Sequence, residues 1–415
     1  MMKNLTYSNL LVYVLGLVAF VQVAIPSMIS IGIALFFLVF VKGLISKELK
    51  FKFHIVYLLF SLFYLAYVIG VFYTNNNAIA FQYLEYKLSF LLFPILFSFV
   101  PKDPLAYDKI VFGFVLGVVV VIVYGFIHGF FCYLNGGEAC FVTTSISPIH
   151  HPSYFDAYII FALFASLIGI INKWKMFRLS WIIPFLLASF IFHALTMSLA
   201  AMLFLLLVVA ILIMVFVYRK LGTIPLLISI VVIPLLGYFV VTEVPAVEGE
   251  WNGAVWYAEK YIDNPNEFVK SRTNDMSGSE QRLVMWTVAT LQVMEHPFGV
   301  GTGNVDDVLG EKLREIGQIQ LAEKKLNPHN QYLQTGIEIG ILGVLILLAI
   351  IFYGVYFAFK KRNWLLLLIL CNLAFNCLFE SMLQRQSGIV FYTFWICLLV
   401  ASEIVPSKIS ESNED

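Results

Sequence analysis

Twelve apolar runs, most of them near twenty residues long, alternate with polar connections along this chain. They lie near 8–25, 27–45, 54–73, 79–100, 109–131, 154–171, 180–197, 199–217, 224–242, 334–359, 363–380 and 386–403. A helix needs about 20 apolar residues to cross a bilayer, so each run predicts a membrane-spanning helix. The run at 79–100 carries Gln82, Glu85 and Lys87, which places its first turns in the interface. Residues 180–217 read as two helices, because a single element of that length overshoots any bilayer. Only two connections are long and polar, 132–153 and 243–332. The chain therefore divides into a membrane segment 1–242 with nine spans, a polar segment 243–332, a second membrane segment 333–403 with three spans, and a tail 404–415. The expected fold class is an all-α polytopic membrane protein.

Composition supports that reading. Charged residues make up 13% of the chain and hydrophobic residues 60%, whereas a soluble domain carries about 25% charged residues. Lys plus Arg and Asp plus Glu balance at 26 each, so nothing points to a nucleic-acid partner. The basic residues are one-sided. Sixteen of the 26 collect on one side: Lys3, Lys42, Lys47, Lys50, Lys52, Lys102, Lys109, Lys173, Lys175, Arg178, Arg219, Lys220, Lys360, Lys361, Arg362 and Lys408. By the positive-inside rule that side is cytoplasmic. Both termini are then cytoplasmic, the first helix is a signal anchor, and the 243–332 segment is external. On that outer, oxidising side Cys132 and Cys140 flank a short segment and are candidates for a disulfide, with two free thiols as the alternative. Cys371, Cys377 and Cys397 fall in apolar spans and read as packing residues.

The external segment shows helical spacing of its own. Trp251, Val255, Trp256, Ala258 and Tyr261 have roughly helical apolar spacing; a second helix is expected from Ser279 to His296, stopped by Pro297; a charged third covers 305–325. At the exit of this segment stands Asn327-Pro328-His329-Asn330-Gln331-Tyr332-Leu333. A His has an ordinary pKa of about 6.5 and can accept a proton at neutral pH, so His329 at a membrane surface is a candidate general base. The plainer alternative is an interfacial His that caps the next helix. Arg282 lies in the first turn of the second expected helix, where a guanidinium can grip a phosphate with two parallel hydrogen bonds. Its alternative is a salt bridge to Glu280 or Glu295. His150, His151, Tyr154 and Asp156 open the sixth span, Glu338 lies in the tenth, and Glu380, Gln384 and Arg385 surround the last external turn. Ionisable groups at membrane depth usually face a cavity or a partner; a mutual Glu380–Arg385 ion pair is the bland reading there. The Gly-rich run His296–Asn304 follows a helix, and no Lys-Ser/Thr comes after it, so it reads as a tight turn and not as a nucleotide loop. No metal-ligand spacing is present.

Taken together, Arg282-x3-Trp286, His296-Pro297-Phe298-Gly299-Val300-Gly301 and His329-Asn330-Gln331-Tyr332-Leu333-Gln334 with Glu338-x-Gly340-Ile341-Leu342-Gly343 resemble the signature region of the O-antigen ligase and polymerase superfamily. His150–Phe155 and Phe379–Gly388 resemble segments seen in some of its members. The resemblance implies a membrane-embedded glycosyltransferase of the C type in the bacterial inner membrane, using no nucleotide sugar, cofactor or metal. It implies a glycan on undecaprenyl diphosphate as donor, and as acceptor a sugar hydroxyl of lipid A-core (ligase) or of another lipid-linked glycan (polymerase). By that carry-over His329 activates the acceptor and Arg282 holds the diphosphate, with Asn330, Glu338, His151, Tyr154, Glu380 and Arg385 as substrate-binding candidates. One departure stands out. The family's Ser-Arg-Gly/Ala pattern in a middle helix reads Ser198-Leu199-Ala200 here, so Leu199 stands where an Arg is expected. The rival class is a transporter or flippase, which predicts internal repeats and broken helices with charges near the midplane.

Overall fold

The computed structural model of the protein describes residues 6–101, 105–243, 245–264, 267–269, 276 and 278–404. The tail expected after 404, and Lys3, Lys102 and Lys408, lie outside the described residues. The helices in chain order are α1 (Tyr7–Ala24), α2 (Ile29–Ile45), α3 (Ile55–Val71), α4 (Asn77–Lys87), α5 (Ser89–Phe97), α6 (Tyr107–Leu134), α7 (Thr143–Ile146), α8 (Pro152–Ile171), α9 (Leu179–Thr196), α10 (Leu199–Leu221), α11 (Thr223–Glu243), α12 (Pro245–Asp263), α13 (Gly278–Glu295), α14 (Val305–Glu315), α15 (Ile319–Glu323), α16 (Gln331–Lys361), α17 (Trp364–Asn376) and α18 (Gln386–Ile404). Two short strands, β1 (Leu49–Phe51) and β2 (Phe99–Pro101), pair antiparallel with Lys50 opposite Val100. The sequence did not suggest them; they tie the chain after α2 to the chain after α5.

Among the described residues nine helices are long and apolar enough to cross a membrane. Shorter apolar helices at Ile55–Val71, Thr223–Val232 and Trp364–Asn376 occupy the other three places where apolar runs were read. The protein is an all-α polytopic membrane protein. Its packing follows from how apolar each helix is around its circumference. The last helix, α18, is buried on nearly every residue from Gly388 to Ala401, with Trp395 fully enclosed, and forms the hub of the bundle. At the other extreme α10 exposes Leu203, Leu206, Leu207 and Ile211, an apolar surface suited to lipid.

In the fourth run α4 and α5 meet at Leu88, whose backbone stays helical (φ −54°, ψ −28°), and Lys87 is wholly buried at that junction. In α16 the helix is interrupted at Ile339 (φ −129°) and Gly340 (φ +73°). A broken helix frees backbone groups that must be paired again at membrane depth. The Gly-rich turn does this: Val300 N–H donates to Ile337 O at 2.8 Å, Gly301 N–H to Glu338 O at 3.1 Å, and Ile341 N–H to Pro297 O at 2.9 Å. The approach is so close that a Cβ on Gly299 would sit 2.6 Å from Gly340 N, and one on Gly340 would sit 2.6 Å from Pro297 O. The Gly-rich turn is therefore a plug for the break in α16. Its far side is held by Thr302, whose hydroxyl donates to Tyr67 O of α3 at 2.7 Å.

The polar segment before α16 carries its own small core. Val284, Met285, Val288 and Ala289 of α13 pack with Leu309 and Leu313 of α14 and with Ile337 of α16. The helix α13 begins at Gly278, one residue earlier than expected, and the charged run after Val305 is split by Gly317 (φ +83°) into α14 and α15.

Candidate functional site

His329 occupies a non-glycine left-handed position, φ +48°. Such backbone costs on the order of 1–3 kcal/mol and tends to gather at functional positions. The local sequence explains how it is reached. Asn327 Oδ1 accepts the His329 N–H at 2.9 Å, an Asn side-chain turn across Pro328. Asn330 then caps α16: its Oδ1 accepts from Leu333 N–H at 3.0 Å. The imidazole is thus fixed directly ahead of a helix N-terminus, with 27% of its side chain exposed.

Its partner is Glu380. Nδ1 of His329 lies 3.2 Å from Oε1 and 3.3 Å from Oε2 of that carboxylate. An Nδ1–H donated to a carboxylate leaves Nε2 as the free acceptor, the tautomer a general base needs. Burial would raise the Glu380 carboxyl. The hydrogen bond and charge of His329, with the Ser381 N–H and His151, outweigh it and hold the group below the usual carboxylate value. The turn that carries Glu380 is held from several sides. Tyr154 hydroxyl donates to Ser381 O at 3.1 Å, Gln331 Oε1 accepts from Leu383 N–H at 2.6 Å, and Asn330 Nδ2 donates to Leu378 O at 3.1 Å. Ser381 hydroxyl reaches Asn327 Oδ1 at 3.3 Å, which closes the turn onto the His329 loop.

Around this pair stand three more groups. His151, at the N-cap of α8, keeps an exposed edge, but its charged form is disfavoured. Burial lowers its pKa most; Glu380 opposes; and Arg385, His329 and Arg282 add repulsion. Arg282 and Arg385 are thus both close enough for their charges to act on His151. Neither guanidinium has a hydrogen bond or an ion pair among the described residues. The Glu380–Arg385 and Arg282–Glu295 pairs weighed from sequence are not formed: Glu380 takes His329, and Glu295 takes Lys312 at 2.9 Å. His151, Asn330 and Arg385 immediately precede α8, α16 and α18, and Arg282 lies in the second turn of α13. Helix N-termini carry partial positive charge and free N–H groups. The cluster therefore offers a base with its orienting carboxylate, beside two unneutralised guanidiniums in a field that favours an anion.

Other candidates sit differently. Glu338 is wholly buried at the break in α16, facing Lys87 at 3.9 Å and bonded by Gln384 Nε2 at 3.0 Å, while Lys87 Nζ donates to Gln384 Oε1 at 3.0 Å. Tyr154 and Asn330 spend their polar atoms on the protein. Cys132, in the last turn of α6, and Cys140, in the connection that leads to α8, form a disulfide. A polar cleft of about 430 Å³ lies elsewhere, lined by Tyr73, His296, Asn304 and Glu311 and not by His329 or Arg282. Sequence reasoning missed His193, whose Nδ1 is 2.9 Å from Asp156 Oδ1, with Thr196 hydroxyl 2.8 Å from Oδ2. A buried Asp one turn into a span was the available signal, since such a group requires a partner.

Fold and site together define a multi-pass membrane protein with a carboxylate-paired His and two Arg side chains without a partner among the described residues. Residues 184–348 match the family model described as O-antigen ligase. That match supports membership of the O-antigen ligase superfamily, and it contains Arg282 and His329. Glu380, Arg385 and His151 lie outside it. A curated, uncharacterised protein of Haemophilus influenzae is 25% identical over 205 residues, 45% of this chain and 49% of that protein. The chain thus matches about half the length of that relative.

Proposed function

We propose that this protein is an inner-membrane glycosyltransferase that moves a glycan from undecaprenyl diphosphate to a sugar hydroxyl at the periplasmic face, and specifically a ligase acting on lipid A-core. The observation that carries the reading is the His329–Glu380 pair, with Arg282 and Arg385, which have no partner among the described residues, acting on the adjoining His151. In the proposed step the acceptor hydroxyl oxygen attacks the anomeric carbon, its proton passes to His329 Nε2, and the bond to the lipid diphosphate breaks with inversion. Glu380 holds the imidazole and balances the imidazolium. Arg282 and Arg385, aided by helix N-termini, hold the charge that develops on the leaving diphosphate. No metal or nucleotide sugar is needed for this scheme. With Leu199 in place of the family's Arg, whose side chain lies outside the described residues, Arg385 is the second cation.

A polysaccharide polymerase would use the same chemistry with a lipid-linked acceptor. A transporter is less well supported: the backbone freed at the break in α16 is paired by the Gly-rich turn. The test is His329→Ala, expressed in a strain deleted for the gene, with lipopolysaccharide read on a gel. Loss of long glycan on lipid A-core, with lipid-linked polymer accumulating and the variant still in the membrane, is expected. A single-repeat product favours the polymerase. Full transfer by His329→Ala rejects the role.

A further inference from the structure

Lys87 and Glu338 are both wholly buried, 0% exposed, in two different spans, Lys87 at the junction of α4 and α5 and Glu338 at the break in α16. Charges held at that depth are costly and persist where they have a partner and a use. Their closest shared partner is the side chain of Gln384. Its carbonyl end accepts from Lys87 Nζ at 3.0 Å, and its amide end donates to Glu338 Oε2 at 3.0 Å. An uncharged side chain with an acceptor and a donor on one carbon matches both charges at once; a carboxylate would repel Glu338 and an aliphatic chain would leave both under-solvated. The rest of the cage is complete: Lys87 lies over the rings of Tyr67 at 4.6 Å and Tyr83 at 5.0 Å, and Glu338 Oε1 accepts from Gly303 N–H at 3.4 Å.

The next residue after Gln384 is Arg385, which opens α18 through its carbonyl to Ile389 N–H at 3.1 Å. Gln384 N–H also donates to Ser381 O at 3.2 Å, beside Glu380. The Arg385 side chain has no partner of its own among the described residues, so its placement rests on the backbone that Gln384 clamps. We infer that Gln384, anchored by Lys87 and Glu338, is a positioning residue that holds Arg385 where its guanidinium meets the anionic leaving group of the substrate. This rests on the transferase reading above.

The test is a double-mutant cycle on the full-length protein in proteoliposomes, with glycan transfer measured against the concentration of the lipid-diphosphate donor. Gln384→Leu and Arg385→Ala are each expected to raise the donor KM about 10-fold, the scale of one charge-assisted contact. The double variant is expected to be no worse than Arg385→Ala alone, because one residue acts through the other. Thermal unfolding of each variant reports structural loss separately. If Gln384→Leu does not reach the membrane, Gln384→Asn keeps both amide ends with a shorter reach and carries the same expectation. Losses that multiply, to about 100-fold in the double variant, overturn the inference. So does a normal donor KM in Gln384→Leu. An unaltered Arg385→Ala beside an inactive His329→Ala overturns it too, and leaves the transferase reading standing. An active His329→Ala overturns that reading and the inference with it.

Discussion

Nδ1 of His329 lies 3.2 Å from Oε1 of Glu380, a residue 51 positions further along the chain and on the other side of two apolar helices. The contact joins the loop that ends the polar segment to the turn before α18, and it determines which imidazole nitrogen is free.

Replacing Glu380 with Gln keeps the shape and removes the charge that balances an imidazolium. Transfer is expected to fall by about 10²-fold or more, the scale on which general acid–base catalysis contributes, while the protein remains in the membrane. A Glu380→Gln variant with normal transfer kinetics removes the carboxylate from the scheme.

The same carboxylate makes a pH prediction. Its folded-state pKa is held below the ordinary 4.5. The ionised form is therefore favoured by folding, and the stabilisation is present in full above that ordinary value. It is lost as pH falls through the lower folded value. Unfolding midpoints in detergent, compared between the native protein and Glu380→Gln, should differ above about pH 4.5 and converge in acid below it.

Arg282→Lys keeps the charge but replaces a planar fork with a point charge. A loss of donor affinity of about 10-fold is expected if the guanidinium grips a diphosphate with paired hydrogen bonds. Unchanged donor KM in this variant would mean that Arg282 acts only through its charge.

Gly340 and Gly317 both have positive φ, +73° and +83°, but only Gly340 has backbone atoms where a Cβ would go. Gly317→Ala is expected to cost about 1–2 kcal/mol from its backbone alone. Gly340→Ala should exceed about 4 kcal/mol, because the plug must leave the break in α16. Membrane yield and unfolding temperature of the two variants give the comparison; equal losses would mean that the turn adapts.

Cys132, at the end of α6, is disulfide-bonded to Cys140 in the connection that leads to His151. Maleimide labelling of denatured protein from cells should leave both unmodified until a reductant is added, with Cys371, Cys377 and Cys397 labelled throughout. Free Cys132 and Cys140 in that experiment would count against an oxidising compartment on the site's side of the membrane.

Much of this molecule is legible along the chain because the bilayer imposes a local rule. A run of apolar residues must be helical to pair its own backbone, so composition and run length already placed most helices, and the border at Asn327–Leu333 already drew attention to His329. Arg282 was readable for a similar reason, from its place near the start of a helix that Pro297 ends. The break in α16 was not: residues 334–359 read as one mainly apolar run, and a Gly in a span is compatible with an intact helix. Nor was the choice of partners. Glu380 could have closed on the nearby Arg385, and instead meets His329; Glu338, among the substrate-binding candidates, shares Gln384 with Lys87. Helical periodicity carries information over three or four residues. These pairings join positions 87, 338 and 384, or 329 and 380, and they exist only once the spans have packed and each buried charge has taken the nearest group able to compensate it.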